Sequence, residues 1–185
     1  MARNAVMEKN LHDGASHGAD GREDEQFLTF RLGGEVFAMG ILGIKEILEF
    51  GRLTTVPMMP PSVRGVINLR GRVVPVVDLA LRFGRAATEP GRRTCIVIVD
   101  LETENGRQDI GVVVDAVNQV LEIPKSDIEP APSFGARLRP DFVAGMGKVG
   151  GDFVVILDTA RVLALDELAD VTRSAGTRLV EHGDA

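Results

Sequence analysis

The chain has 185 residues, 44% of them hydrophobic, which is enough for one ordinary domain or two small ones with a buried core. Its net charge of −6, its eight Phe and its lack of Trp and Tyr disfavour a nucleic-acid reader, although residues 62 to 93 carry seven Arg against Asp78 and Glu89. One cysteine, Cys95, excludes an internal disulfide framework and a cysteine-rich metal site, and no apolar run approaches the roughly 18 residues of a membrane span. A soluble, cytoplasmic, β-rich protein built on Val, Ile and Leu is expected.

Residues 1–25 hold Gly, His, Asp and Glu without hydrophobic period and read as a disordered tail. The folded unit begins with "EQFLTFRLGGEVFAMG", where apolar residues alternate on both sides of Gly33 and Gly34, the signal for a β-hairpin. "GIKEILEF" follows, with Glu46 the lone carboxylate among Ile41, Leu42, Ile44, Ile47 and Leu48. In "VPMMPPSV", Met58 and Met59 fit either an adaptable contact surface or loop anchors.

The next stretch, "VRGVINLRGRVVPVVDLA" (Val63 to Ala80), aligns without a gap on "VAGMGKVGGDFVVILDTA" (Val143 to Ala160) at an offset of 80. Gly65 meets Gly145, Gly71 meets Gly151 and Asp78 meets Asp158. Upstream, "EILEF" has a counterpart in "QVLEI" (Gln119 to Ile123), and Pro57 has one in Pro130. Such repetition indicates duplication and two small β-barrels. Within the first copy Arg70 stands where the second has Gly150, so the hairpin does not need a large cation there. A guanidinium on a turn suits bidentate capture of a carboxylate, and Glu46, whose counterpart is the neutral Gln119, is its natural partner. Pro75 replaces a Val of the other copy and removes a ladder donor, which places it at a sheet edge or a bulge.

Chemistry has little to work with. His12, His17 and His182 all lie in the tails, and no phosphate-cradling G-x-x-x-x-G-K-[ST] loop occurs. Asp78 and Asp158 end equivalent strands, and "ILDTA" resembles the Asp-Thr-Gly loop of two-lobed aspartic proteases, but Ala80 and Ala160 stand where that loop needs glycine. Helix N-caps are the favoured reading, with Val162, Leu163, Leu165 and Leu168 continuing at helical spacing into a polar tail over 169–185.

Taken in order, "FLTFRLGGEVFAMGILGIKEILE", "RGVINLRG...PVVDL", "IGVVVDAVNQVL", "IEPAP" and "VAGMGKVGGDFVVILD" resemble the CheW-like family of bacterial chemotaxis coupling proteins over 26–168. The resemblance implies an all-β fold with minor helix: two SH3-like five-stranded β-barrels side by side, with a short C-terminal helix. The first barrel is expected near 26–90 and the second near 91–168. It further implies a non-catalytic adaptor, with no cofactor and no metal, linking the cytoplasmic tips of methyl-accepting chemoreceptors to the regulatory domain of a CheA-type histidine kinase. By family motif, Glu46 and Arg70 serve coupling, and Ile41, Ile44, Ile47, Val74 and Met146 form a receptor groove. Val113 and Val117 are nominated for the kinase. The alternatives are a hydrolase using Asp78 and Asp158, a nucleic-acid binder through Arg64 to Arg93, or an adaptor of another pathway such as twitching motility.

Overall fold

The computed structural model describes residues 24–132 and 138–164. Strands β1 (Asp24–Leu32) and β2 (Glu35–Gly40) form the first hairpin, closed by the pair Leu32 and Glu35. Gly33 and Gly34 make its two-residue turn at φ +59° and +83°, values that glycine adopts without a Cβ clash. A 3₁₀ turn at Ile41–Gly43 leads into β3 (Ile44–Glu49). A second hairpin, β4 (Val63–Leu69) and β5 (Arg72–Asp78), ends in the four-residue helix α1 (Leu79–Arg82).

The second half repeats the set. Hairpin β6 (Cys95–Thr103) and β7 (Gly106–Val114) is followed by β8 (Ala116–Pro124), the two-residue strand β9 (Ile128–Glu129), hairpin β10 (Val143–Val149) and β11 (Asp152–Leu157), then helix α2 (Thr159–Val162). The offset of 80 is therefore structural. Both later hairpins have the same strand positions, both shift register between the first and third residues of their opening strand, and both end in an aspartate that caps a short helix.

Pairing crosses the repeats. One sheet has the order β3-β6-β7-β5-β4 and the other β8-β1-β2-β11-β10-β9. The first hairpin of each half thus sits between strands of the other half, joined at one side by a parallel ladder, β5 with β7 and β2 with β11. The two SH3-like barrels are formed by this exchange, so the expected division at residues 90 and 91 separates sequence repeats and not barrels. One sheet also carries a sixth strand, β9, beyond the five expected.

Burial follows the same plan. Phe27, Ala38, Ile123, Val154 and Ile156 make a core confined to one sheet, and Val74, Val76, Ile96, Ile98 and Val113 make its counterpart in the other. The third and largest cluster draws Leu28, Phe30, Phe37 and Met39 from one sheet against Val97, Val99, Ile110, Val112 and Val114 from the other. It cements the barrels together, since apolar area removed from water is worth roughly 25 cal/mol per Å².

The repeated glycine has a packing cause. A Cβ at Gly65 would lie 2.5 Å from the Thr54 carbonyl oxygen, and one at Gly145 would lie 2.8 Å from Ile128 Cγ2 and 3.0 Å from the Glu129 oxygen. In each barrel a returning segment crosses the opening strand at that point, as the bridge Thr54 to Val66 and the pair β9 with β10. Pro75 is not on an edge, because β5 lies between β7 and β4. The parallel ladder to β7 begins only at Val76, so no neighbour on that side asks Pro75 for a donor.

Strand β1 begins at Asp24, one residue before the expected end of the tail. Residues 1–23 and the helical continuation through Leu165 and Leu168 lie outside the described residues.

Candidate functional site

Strand β3 is an outer strand of its sheet and is bulged. Ile44 pairs with Val99 and Glu46 with Ile98, leaving Lys45 as an extra residue. A bulge re-aims side chains. Here Lys45 Nζ donates to Asp109 Oδ1 at 2.6 Å, and Glu46 faces the β4–β5 turn.

At that turn Arg70 holds φ +50° and Gly71 φ +81°, with the Gly71 amide donating to Asn68 Oδ1 at 2.8 Å. A bulky side chain in the first left-handed position is strained, and its repeat partner Gly150 takes φ +58° with no Cβ to strain. Arg70 Nη1 and Nη2 donate to Glu46 Oε1 and Oε2, both at 2.9 Å. The hydrogen bond to Glu46, and then its charge, hold the Arg70 guanidinium above its already high ordinary pKa. The Arg70 side chain is 76% exposed, and exposed ion pairs contribute little to folding. The positive φ of Arg70 is thus accompanied by only a weak surface pair, so folding alone gives little return for it.

Apolar residues flank Glu46 along the chain. Ile41 and Ile44 are half-buried, Ile44 packs on the core shared by the barrels, and Ile47 is exposed. The fully exposed Leu42 joins Ile41, Val99 and Leu101 around a groove of about 510 Å³ that Asp24 and Glu25 border.

The structure does not bring all the expected residues together. Val74 is 1% exposed and Val113 0%, and both belong to the same barrel core, so neither reaches a partner unless the sheet opens. The exposed valine of that strand is Val73, the neighbour of Val74. Met146 lies in the other sheet, between Glu129 and Val155. Val117 packs beside the shared core, and Val120 three residues on is exposed. Val117 and Val120 occupy on β8 the positions that Ile44 and Ile47 occupy on β3, and Phe153 likewise answers Val73; both Val120 and Phe153 are exposed.

The two aspartates are structural. Asp78 is fully buried; its carboxylate accepts from the Ala80 and Thr88 amides, both at 2.9 Å, and from Thr88 Oγ1 at 3.0 Å, with Arg64 Nη1 at 3.5 Å. Asp158 accepts from the Arg161 amide at 3.1 Å. Each oxygen set serves its own helix start and loop, which leaves no shared proton and no support for the hydrolase reading. The basic stretch is similarly dispersed: Arg64, Arg70, Arg72, Arg82 and Arg85 all bind groups of this chain. Among the described residues no three metal-ligating side chains cluster, and no helix is long and apolar enough to cross a membrane.

Two exchanged SH3-like barrels carrying a charged clasp at the surface, with no catalytic cluster among the described residues, define the class of small β-barrel binding modules. The sequence pattern of the CheW-like domain matches residues 26–167, and the chain belongs to that family. It is similar to the chemotaxis protein CheW of Klebsiella aerogenes, 31% identical over 151 residues, covering 82% of this chain and 89% of that one. Protein FrzA of Myxococcus xanthus is 30% identical over 155 residues, covering 80% and 94%. The crystal structure of the scaffolding protein TtCheW from Thermoanaerobacter tengcongensis superposes with a TM-score of 0.67 at 29% identity, covering 78% of this chain and 90% of that one. The role that follows is that of a non-enzymatic chemotaxis adaptor that works with chemoreceptors and CheA.

Proposed function

We propose that the face carrying the Glu46–Arg70 clasp docks the helical tip of a chemoreceptor. Ile41, Ile44 and Ile47 supply the apolar contact, and the clasp fixes orientation, a division of labour common to helix-in-groove recognition. The kinase's regulatory domain is assigned to the opposite side of the seam, along Val117 and the exposed Val120, so that both partners bind at once. Met146 contributes from the second barrel. The adaptor works in the cytoplasm, at receptor arrays on the inner face of the membrane. The observation that carries this reading is the strained, exposed Arg70 held two-handed by Glu46 beside Ile47.

Arg70→Glu should place two carboxylates together at the surface without touching the core. The expected outcome is a folded chain, melting within about 5 °C of the parent, that no longer brings kinase activity under receptor control in a reconstituted mixture. Normal receptor control by a folded Arg70→Glu chain contradicts the assignment.

A further inference from the structure

The bulge that aims Glu46 occurs twice. In β8 the residue left over between Val117, which pairs with Phe30, and Gln119, which pairs with Thr29, is Asn118. In β3 it is Lys45, between Ile44 opposite Val99 and Glu46 opposite Ile98. The two ladders correspond residue by residue, so the β6–β7 pair Asp100 and Asp109 stands where the β1–β2 pair is Arg31 and Val36.

The two bulges are fastened differently. At β8 a neutral group is enough: Thr29 Oγ1 donates to the Gln119 carbonyl at 2.9 Å and accepts from the Gln119 amide at 3.3 Å. The strand beside β3 has Ile98 where that hydroxyl stands, and the extra residue is pinned by charge. Lys45 Nζ donates to Asp109 Oδ1 at 2.6 Å and lies 4.0 Å from Asp100 Oδ2. Arg72 Nη1 is 3.5 Å from the other oxygen of Asp109, and Arg107 Nε is 3.1 Å from Asp100. Two carboxylates directly opposite on neighbouring strands repel, and Asp109 is only 9% exposed, so a hydroxyl is the less demanding fastening.

What the charged version adds is reach. With one oxygen Asp109 takes Lys45, the neighbour of Glu46; with the other it takes Arg72, which opens β5 just past the turn that carries Arg70. A single carboxylate thus ties down both halves of the clasp, although β7, the strand it belongs to, carries neither. The copy without this acid is also the copy without the clasp: Lys45, Arg72 and Asp109 answer to Asn118, Asp152 and Val36, as Glu46 and Arg70 answer to Gln119 and Gly150. Were Lys45 drawn into the ladder, Glu46 would fall opposite Val97 instead of Ile98 and turn to the other face of the sheet.

We propose that Asp109 is the positioning residue of the clasp: with Lys45 and Arg72 it holds Glu46 and Arg70 in the geometry that a receptor reads, and it takes no part in the contact itself. The receptor half of this inference rests on the docking face assigned above.

Asp109→Val with Lys45→Asn installs the residues of the other copy, and Lys45→Asn alone changes an exposed side chain; both chains should unfold in one cooperative transition. In heteronuclear NMR of the full chain, the Arg70 guanidinium, identified by its disappearance in Arg70→Lys, should give separate Nη signals in the parent, because a carboxylate held by two bonds slows its rotation, and one averaged signal in both variants. Affinity for a soluble cytoplasmic fragment of a chemoreceptor should fall about tenfold or more in both variants. Adding Arg70→Ala should weaken the double variant far less than it weakens the parent, whereas a merely structural defect would add to the Arg70→Ala loss. Separate Nη signals preserved in the variants, or additive losses of affinity, overturn the proposal. Averaged signals with undiminished receptor affinity would uphold the positioning by Asp109 and overturn instead the assignment of the clasp to the receptor.

Discussion

Single residues in this chain are decided by distance rather than by type. Gly65 is required because a methyl group there would meet a backbone oxygen at 2.5 Å, and backbone cannot rotate away as a side chain can. Gly65→Ala should cost about 1–3 kcal/mol, the usual range for overpacking, and chemical denaturation would show it as a lower midpoint with unchanged slope. Ala at Gly71, where nothing lies within 4 Å, should suffer only from its φ of +81°. The sequence showed that both glycines recur but not that they recur for different reasons, because a repeat marks positions and is silent about what crosses them. The Glu46–Arg70 pair was legible for a better reason: each side chain departs from its own repeat partner, Gln119 and Gly150, so their joint presence stood out. Val74 and Val113 failed because "RVVPVV" and "GVVVD" are uniformly apolar. Such runs carry no alternation to say which face is in, and a proline within the first obscures the phase further.

At the scale of elements, two aspartates at matching positions do unequal work. Asp158 caps α2 near the surface, so Asp158→Ala should cost about 1 kcal/mol, as for other caps. Asp78 caps α1 and also fastens Thr88 and Arg64, which pins the connection between α1 and β6. Removing it leaves the buried Ala80 and Thr88 donors without their acceptor, while Arg64 keeps only the Thr88 carbonyl as acceptor, and Asp78→Ala should cost about 3 kcal/mol or more. Limited proteolysis would separate the cases: cleavage between residues 84 and 93 should accelerate in Asp78→Ala and remain slow in Asp158→Ala. Comparable stability loss in the two variants would mean that the Thr88 attachment contributes nothing. Hairpins, caps and strand positions could be read from spacing, since each depends on residues close in the chain. The hold on Thr88 could not, because "GRAATEPG" carries no periodic signal and its anchor lies ten residues back.

For the whole molecule, the exchange of hairpins matters most. Repetition predicted two barrels, and two barrels are present, yet the strands that compose each one come from both halves. Sequence similarity reports chain order, whereas pairing is settled by which edges meet, and nothing local distinguishes a hairpin kept from a hairpin given away. With the largest core cluster also shared, neither barrel has an interior of its own large enough to stand apart. Thermal unfolding should accordingly be a single transition with calorimetric and van't Hoff enthalpies in agreement. Two resolved transitions would show that the barrels melt separately.

The exchange also bears on origins. A half-length polypeptide with one set of two hairpins and a strand would lack the middle of its own sheet, and its first hairpin would have no sheet to enter. Such a forerunner could complete itself only by trading that hairpin with a twin, as intertwined homodimers do. Gene fusion would then have tied the twins covalently, and the connection from Phe83 to Thr94, which lies between the two repeats, is where such a join would fall.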